Sequence, residues 1–75
     1  MYKVYTTTNC PNCRELKNIL NKNHIQFEEL NIETDFKAMA KLVENNLMQV
    51  PVLEINGQLK SGEISDIIQN IEVGV

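Results

Sequence analysis

The chain has 75 residues, of which 43% are hydrophobic and 23% are charged, and its formal net charge is −3 at pH 7. This size and composition predict one globular domain over residues 1–75. The acidic balance argues against nucleic-acid binding, which normally needs a basic face. The longest apolar run, residues 50–53, is far shorter than the ~20 residues that cross a bilayer. With no export signal visible after Met1, we expect a monomeric cytoplasmic protein that does not attach to membranes.

The first half of the chain predicts a strand, a helix and a second strand. Residues 2–6 alternate and are rich in β-branched and aromatic residues, which indicates a strand. Pro11 suits the first turn of a helix, and apolar residues at helical spacing extend that helix to about Asn23. Residues 25–32 predict the second strand, in which the adjacent Glu28 and Glu29 interrupt strict alternation and indicate a solvent-facing edge.

The second half predicts a helix, a hairpin and a last helix. Thr34 or Asp35 is expected to cap the second helix. Residues 51–55 and 58–60 predict two antiparallel strands joined at Asn56-Gly57, a strong hairpin signal. The predicted core face of the second helix comprises Phe36, Met39, Ala40 and Val43, and that of the third comprises Ile64, Ile67, Ile68 and Ile71.

The order β-α-β-α-β-β-α predicts an α/β fold, a four-stranded mixed sheet flanked by three helices. A strand–helix–strand crossover makes the first two strands parallel. The hairpin is expected to join the same sheet, because an isolated hairpin is barely stable. Ligand sites of open α/β sheets lie at the carboxyl ends of the strands, and the segment after the first strand leads directly to Cys10.

Cys10 and Cys13 are the two cysteines of the chain. A bridge between them closes too short a loop to constrain the unfolded chain much, so stability does not explain the pair. A structural zinc site needs four ligands, whereas the sequence supplies no second cysteine pair and a single histidine, His24. A CxxC motif beside a β-α-β pattern instead indicates redox chemistry.

The position of the motif predicts a role for each sulfur. Only the thiolate attacks a disulfide, and a free cysteine thiol, with a pKa of about 8.5, is mostly protonated at pH 7. Unpaired N–H groups and the positive end of the helix dipole favour an anion at the helix start. We therefore expect Cys10 to be the nucleophile and Cys13, one turn later and more enclosed, to be the resolving thiol. Pro11 and Asn12 between them are candidate substrate contacts.

With Cys10-Pro11-Asn12-Cys13 opening a helix after a strand, and Gln49-Val50-Pro51 preceding a hairpin, the chain resembles the glutaredoxin family over essentially its whole length. The resemblance implies a thioredoxin-like fold, with a cis peptide bond before Pro51 beside the redox pair. It also implies a thiol–disulfide oxidoreductase that needs no bound cofactor. Because Pro51 has no N–H, the backbone of Val50 is free to pair with an extended substrate segment. A simple strand-start proline is the alternative for Val50-Pro51.

Within the family, Gln49-Val50-Pro51 and Ser61-Gly62, with Asp66 beyond, resemble the NrdH-type redoxins. That branch implies reduction by thioredoxin reductase with NADPH and electron transfer to a disulfide-containing protein such as ribonucleotide reductase. Ser61 and Gly62 are then further substrate contacts. Helix capping is the alternative for Ser61, and a turn with positive φ is the alternative for Gly62. The branch usually has an aromatic residue where this chain has Lys60.

A glutathione-dependent glutaredoxin is the alternative function. Such members commonly carry a basic residue where this chain has Thr7 and an aromatic residue where it has Asn12. The loss of the cation removes a direct partner for a glutathione carboxylate. Lys3, Arg14 and Lys60 are candidate substitutes. A dimeric iron–sulfur carrier ranks lower, because cluster binding is commoner with a single active-site cysteine.

Overall fold

The structure, a computed structural model, describes residues 2–69. Seven elements follow one another in the predicted order β-α-β-α-β-β-α. The strands are β1 (Tyr2–Thr6), β2 (Phe27–Asn31), β3 (Val52–Ile55) and β4 (Gln58–Lys60). The helices are α1 (Pro11–Lys22), α2 (Phe36–Glu44) and α3 (Ile64–Ile68). None of the helices described over residues 2–69 is long and apolar enough to cross a membrane.

The four strands form one mixed sheet in the order β2-β1-β3-β4. Strand β1 is parallel to β2 and antiparallel to β3, so that Tyr5 pairs with Leu30 on one side and with Val52 on the other. Strand β4 pairs antiparallel with β3. At the turn between them, Asn56 and Gly57 have φ angles of 50° and 88°, as a tight hairpin turn requires. The predicted α/β fold and hairpin are confirmed.

Helices cover both faces of the sheet, because successive residues of a strand point to opposite faces. Helices α1 and α3 cover one face, and α2 covers the other. The core on the α1 side contains Val4, Leu16, Leu20, Leu53 and Ile67. The core on the α2 side contains Tyr5, Ala38, Leu42 and Val52. The two central strands are thus buried on both sides and hold the end of β1 in a fixed position.

The predicted core face of α2 is wrong. Phe36, Met39 and Val43 are 82%, 48% and 55% exposed, whereas Ala38 and Leu42 are buried. This short helix carries two apolar stripes, and spacing alone does not distinguish between them. The helix docks through Ala38 and Leu42, and in this orientation the ammonium of the adjacent Lys41 reaches Glu54 of β3 at 2.8 Å.

Glu54 is a buried charge under α2. Its Oε1 accepts hydrogen bonds from the Tyr5 hydroxyl at 2.6 Å and from Lys41 Nζ at 2.8 Å. Burial disfavours the charged carboxylate, but the bonds from Lys41 and Tyr5 together outweigh it and hold the pKa of Glu54 below its usual range. Burial and the neighbouring carboxylate raise the pKa of Tyr5. The cluster therefore places one ionised, fully partnered carboxylate within the fold.

Several predicted boundaries need correction. Strand β2 begins at Phe27 and not at residue 25, because the N–H of Ile25 bonds to the carbonyl of Leu20 and closes the end of α1. Strand β3 begins one residue after Pro51. Of the two predicted caps of α2, Thr34 and Asp35, the residue at the N-cap is Asp35. Its Oδ1 accepts a hydrogen bond from the N–H of Ala38 at 3.1 Å. Ile71, expected on the face of α3, lies outside the described residues.

Candidate redox site

The two cysteines lie where the chain leaves the sheet and enters α1. Strand β1 ends at Thr6, residues 7–9 form the connection, and Cys10 is the N-cap of α1, with Pro11 in the first helical position. Cys10 and Cys13 form a disulfide, with their Cα atoms 5.2 Å apart. One helical turn therefore brings the two sulfurs within bonding distance.

Cys10 Sγ also takes part in the capping of α1. The backbone N–H of Cys13 donates to this sulfur at 3.1 Å. An N-cap side chain normally accepts from one of the first unpaired N–H groups of its helix, and here the acceptor is a sulfur. After reduction, the same donor and the helix dipole favour a negative charge at Cys10.

The two sulfurs differ in accessibility. The exposed fraction of Cys10 is 8% and that of Cys13 is only 1%, whereas Pro11 and Asn12 between them are exposed. An incoming disulfide therefore reaches Cys10 before Cys13. Pro11 and Asn12 form the exposed surface next to Cys10.

A polar cavity of about 400 Å³ opens beside the disulfide. Both cysteines line it, together with Arg14, Lys17 and Glu29. Lys17 Nζ lies 3.0 Å from Glu29 Oε2, which also accepts a hydrogen bond from the hydroxyl of Thr6 at 3.0 Å. The Lys17 hydrogen bond, aided by that of Thr6 and opposed by burial, holds the pKa of the Glu29 carboxyl below its usual range.

Sequence reasoning missed this ion pair, because it assigned Glu29 to a solvent-facing edge. A signal was present in the spacing of α1. Lys17 follows Cys13 by four residues, which places the two side chains on the same face of the helix. Lys17 meets a residue of β2 because of the register in which β1 and β2 pair, and the sequence does not specify this register.

Val50 and Pro51 lie at the same end of the sheet as the disulfide. The peptide bond between them is cis. Pro51 is buried, and the next residue, Val52, pairs with Tyr5 near the end of β1. The chain thus enters β3 at the edge where it leaves β1 for Cys10. Val50 is half-buried against the core on the α2 side.

Ser61 and Gly62 are not part of the cavity that contains the cysteines. Ser61 is exposed and lines a separate hollow with residues 46–49. The alternative that Ser61 caps α3 is wrong, since the N-cap is Glu63. Gly62 has a φ of 113°, a conformation that favours glycine, and a Cβ there would meet only Asp66 Oδ2, at 3.9 Å. The backbone conformation thus explains this glycine without a ligand.

His24 lies apart from the cavity that contains the cysteines. His24 lies in the connection after α1 with a φ of 57° and lines a hollow of its own with Phe27 and neighbouring residues. Over residues 2–69, no three side chains among histidine, cysteine, aspartate and glutamate come together so as to hold a metal ion.

The sequence matches a known protein family. The glutaredoxin family model matches residues 3–60. The chain belongs to the glutaredoxin family. Among curated relatives of this glutaredoxin, a glutaredoxin-like 8.6 kDa protein of the rubredoxin operon of Clostridium pasteurianum is 32% identical over 63 residues, covering 83% of this chain and 84% of that protein. The glutaredoxin-like protein NrdH of Lactococcus lactis is 32% identical over 53 residues, covering 71% and 74%.

Solved structures show the same fold. The thioredoxin-like protein BC3987 superposes with a TM-score of 0.81 at 28% identity, covering 92% of this chain and 97% of its own. The NrdH-redoxin of Escherichia coli superposes with a TM-score of 0.84 at 23% identity, covering 99% and 97%. This glutaredoxin therefore has a thioredoxin-like fold. By family it is a thiol–disulfide oxidoreductase of the glutaredoxin and NrdH type, with Cys10-Pro11-Asn12-Cys13 as its redox motif.

Proposed function

We propose that the protein is a dithiol electron carrier in which Cys10 is the nucleophile and Cys13 the resolving thiol. The Cys10 thiolate attacks one sulfur of a partner's disulfide, and the partner's other sulfur leaves as a thiolate. The Cys13 thiolate then attacks Cys10 Sγ in the mixed disulfide and releases the partner's second thiolate. Two electrons pass to the partner, and Cys10 and Cys13 become oxidised.

The observation that carries this proposal is the capping arrangement at Cys10. Its sulfur bonds to Cys13 Sγ and accepts the N–H of Cys13 at 3.1 Å. The sulfur that is better exposed is therefore also the one beside a helix N-terminus, and the enclosed sulfur is within reach of it. A nucleophile needs exposure and stabilisation of its anion, whereas a resolving thiol needs proximity and protection from solvent.

The substrate of the proposed carrier is a protein segment that contains a disulfide. Pro11 and Asn12 supply an exposed surface on each side of the attack path to Cys10. Val50 supplies backbone groups for strand-like pairing at the same end of the sheet. Ser61, which shares a hollow with residues 46–49, and the adjacent Gly62 are further proposed substrate contacts. No bound cofactor enters this cycle.

The proposed reductant is thioredoxin reductase with NADPH, and the proposed target is a ribonucleotide reductase. The support is similarity, since the Lactococcus lactis relative is named NrdH, together with the Gln49-Val50-Pro51 and Ser61-Gly62 sequences. A dithiol that must stay reduced between cycles also requires a reducing compartment, and we therefore propose that the protein works in the cytoplasm.

Glutathione is the second candidate reductant, and Arg14 is the observation that favours it. Arg14 lines the cavity beside the disulfide, and among residues 2–69 it has no carboxylate partner. Glutathione carries two carboxylates, whereas the other nearby cation, Lys17, already pairs with Glu29 at 3.0 Å. One free cation supports weaker binding than two, so this candidate ranks second.

One comparison separates the two reductants. The oxidised protein is mixed with NADPH and either thioredoxin reductase or glutathione plus glutathione reductase, and NADPH consumption is followed with a protein disulfide as acceptor. We expect turnover with thioredoxin reductase and little with glutathione. Rapid turnover with glutathione alone overturns the proposed reductant, and a several-fold rise of the glutathione KM in Arg14→Ala, with Arg14→Lys as control, then assigns the cation to glutathione.

A further inference from the structure

Helix α2 turns an apolar stripe towards solvent on the face of the sheet opposite to α1. Phe36 and Val43 are 82% and 55% exposed, and Met39 beside them is 48% exposed. Met48, in the loop after the helix, is 87% exposed. Single exposed apolar residues are ordinary, but a contiguous patch on the order of 500 Å², as these four side chains provide, marks an interaction surface.

Two opposite charges border this stripe. Lys37 and Glu44 are seven residues apart, and therefore lie two turns apart on the same flank of α2. Both are exposed. Among the residues that the structure describes, neither has a hydrogen-bonding or ionic partner. They are also about 10 Å apart along the helix axis, too far to pair with each other within one chain.

We propose that the outward face of α2 is a self-association surface, on which two copies of the chain pack with their α2 helices antiparallel. In an antiparallel pair, residues on the same flank of the two helices face each other in reverse order. Lys37 of each copy then faces Glu44 of the other, and the two-fold axis passes near Ala40. In a parallel pair the same flank of the two helices would lie on opposite sides of the interface, so Lys37 and Glu44 would not meet.

The composition of the stripe fits a second copy of the same surface. The interface between two copies related by a two-fold axis uses one self-complementary patch. Here the small side chain of Ala40 at the axis lets the helices approach. Phe36 of one copy then lies against the turn that contains Val43 of the other. Because Lys37 and Glu44 complement the same two residues of a reversed copy, a second copy is the occupant that these observations favour.

This association is weak and is centred on α2, whereas the cysteines lie at the start of α1. A stable interface buries about 800 Å² per partner, more than the stripe provides, so we expect a dissociation constant on the order of 100 μM. Cys10 begins α1, which packs on the other face of the sheet. At low concentration the protein therefore stays the monomer expected from the sequence.

Sedimentation equilibrium of the oxidised protein, which has no free thiols, tests the proposal. We expect a monomer–dimer equilibrium that Phe36→Ser abolishes. Lys37→Glu or Glu44→Lys alone places like charges opposite each other, and each should weaken association about tenfold at low salt. The double charge reversal should restore it to within about twofold. Lys22→Glu and Glu15→Lys on α1 make the same charge changes elsewhere and should have no effect.

Two results would overturn the proposal. One is a chain that stays monomeric up to about 1 mM, which would leave the stripe to a different partner protein. The other is a dimer that the double charge reversal fails to restore, since this excludes the antiparallel arrangement. Circular dichroism of each variant checks that the fold is retained. Disulfide-reducing activity at low concentration should be the same in Phe36→Ser and in the parent protein, which separates this proposal from the proposed function.

Discussion

The backbone N–H of Cys13 donates to Cys10 Sγ at 3.1 Å, so the proposed resolving residue also helps to hold the proposed nucleophilic sulfur. The amide comes from the first turn of α1, where the N–H groups have no partner within the helix. Because this is a backbone contact, it does not depend on the side chain at position 13. The disulfide and the anion that follows its reduction are thus held by the same part of the helix.

Alkylation of the reduced protein tests the charge at Cys10. We expect Cys10 to react with iodoacetamide well below the pH range of a free thiol, because the helix start favours its anion. Cys13, which is 1% exposed, should react much more slowly. Mass spectrometry of peptides after timed labelling across a pH series measures both rates. A Cys10 rate that follows that of free cysteine at every pH would contradict this prediction.

Substitution of each cysteine separates the two roles. In Cys13→Ser, the attack by Cys10 still occurs, but no thiolate is available to resolve the mixed disulfide, so the complex with a protein substrate should accumulate. In Cys10→Ser, no complex should form. Non-reducing gel electrophoresis with a disulfide-containing substrate shows the difference. Because the N–H of residue 13 remains in Cys13→Ser, the stabilisation of the Cys10 anion should be retained.

The Glu54 cluster predicts a dependence of stability on acid. The pKa of Glu54 is lower in the folded protein than in the unfolded chain, so its contribution is present above the unfolded value and is lost as pH falls through the folded value. Glu54→Gln should reduce the free energy of unfolding at pH 7 by about 1–2 kcal/mol, because Lys41 loses its charged partner. This difference should shrink in urea titrations below pH ~4.5. Glu28→Gln, at an exposed position of β2, is the control.

Two alanine substitutions in α2 test which face of the helix is buried. Leu42 is 2% exposed and Val43 is 55% exposed. Leu42→Ala should lower the free energy of unfolding by about 2–4 kcal/mol, since it leaves a cavity in the core. Val43→Ala should change it by no more than about 0.5 kcal/mol. Urea unfolding at low protein concentration measures both, and a larger effect at Val43 would show that the sequence-based assignment of the face was right.

The elements and their order were predictable because the signals for them are local. Pro11 at a helix start, Asp35 as a cap and Asn56-Gly57 as a turn each act within a few residues. The disulfide was predictable for the same reason, since one helical turn separates Cys10 from Cys13.

Contacts between distant segments were not predictable in this way. The exposed face of α2 depends on how the helix docks on the sheet, and two apolar stripes in nine residues satisfied the periodicity equally well. The pairing of Lys17 with Glu29 and that of Lys41 with Glu54 each join a helix to a strand across at least 12 residues. Composition marks these residues as charged, but only the packed fold shows which of them meet.

The two edge strands of the sheet affect the tendency of the protein to aggregate at high concentration. An open strand edge offers unpaired amides and carbonyls on which foreign chains can grow into aggregates. Here one outer strand, β2, carries the consecutive carboxylates Glu28 and Glu29, and the other, β4, has only three residues and ends in Lys60. The two carboxylates of β2 and the short length of β4 thus make both edges unfavourable for the addition of foreign strands. The glutamates that interrupt the alternation of β2 thereby help to protect one edge of the sheet from aggregation.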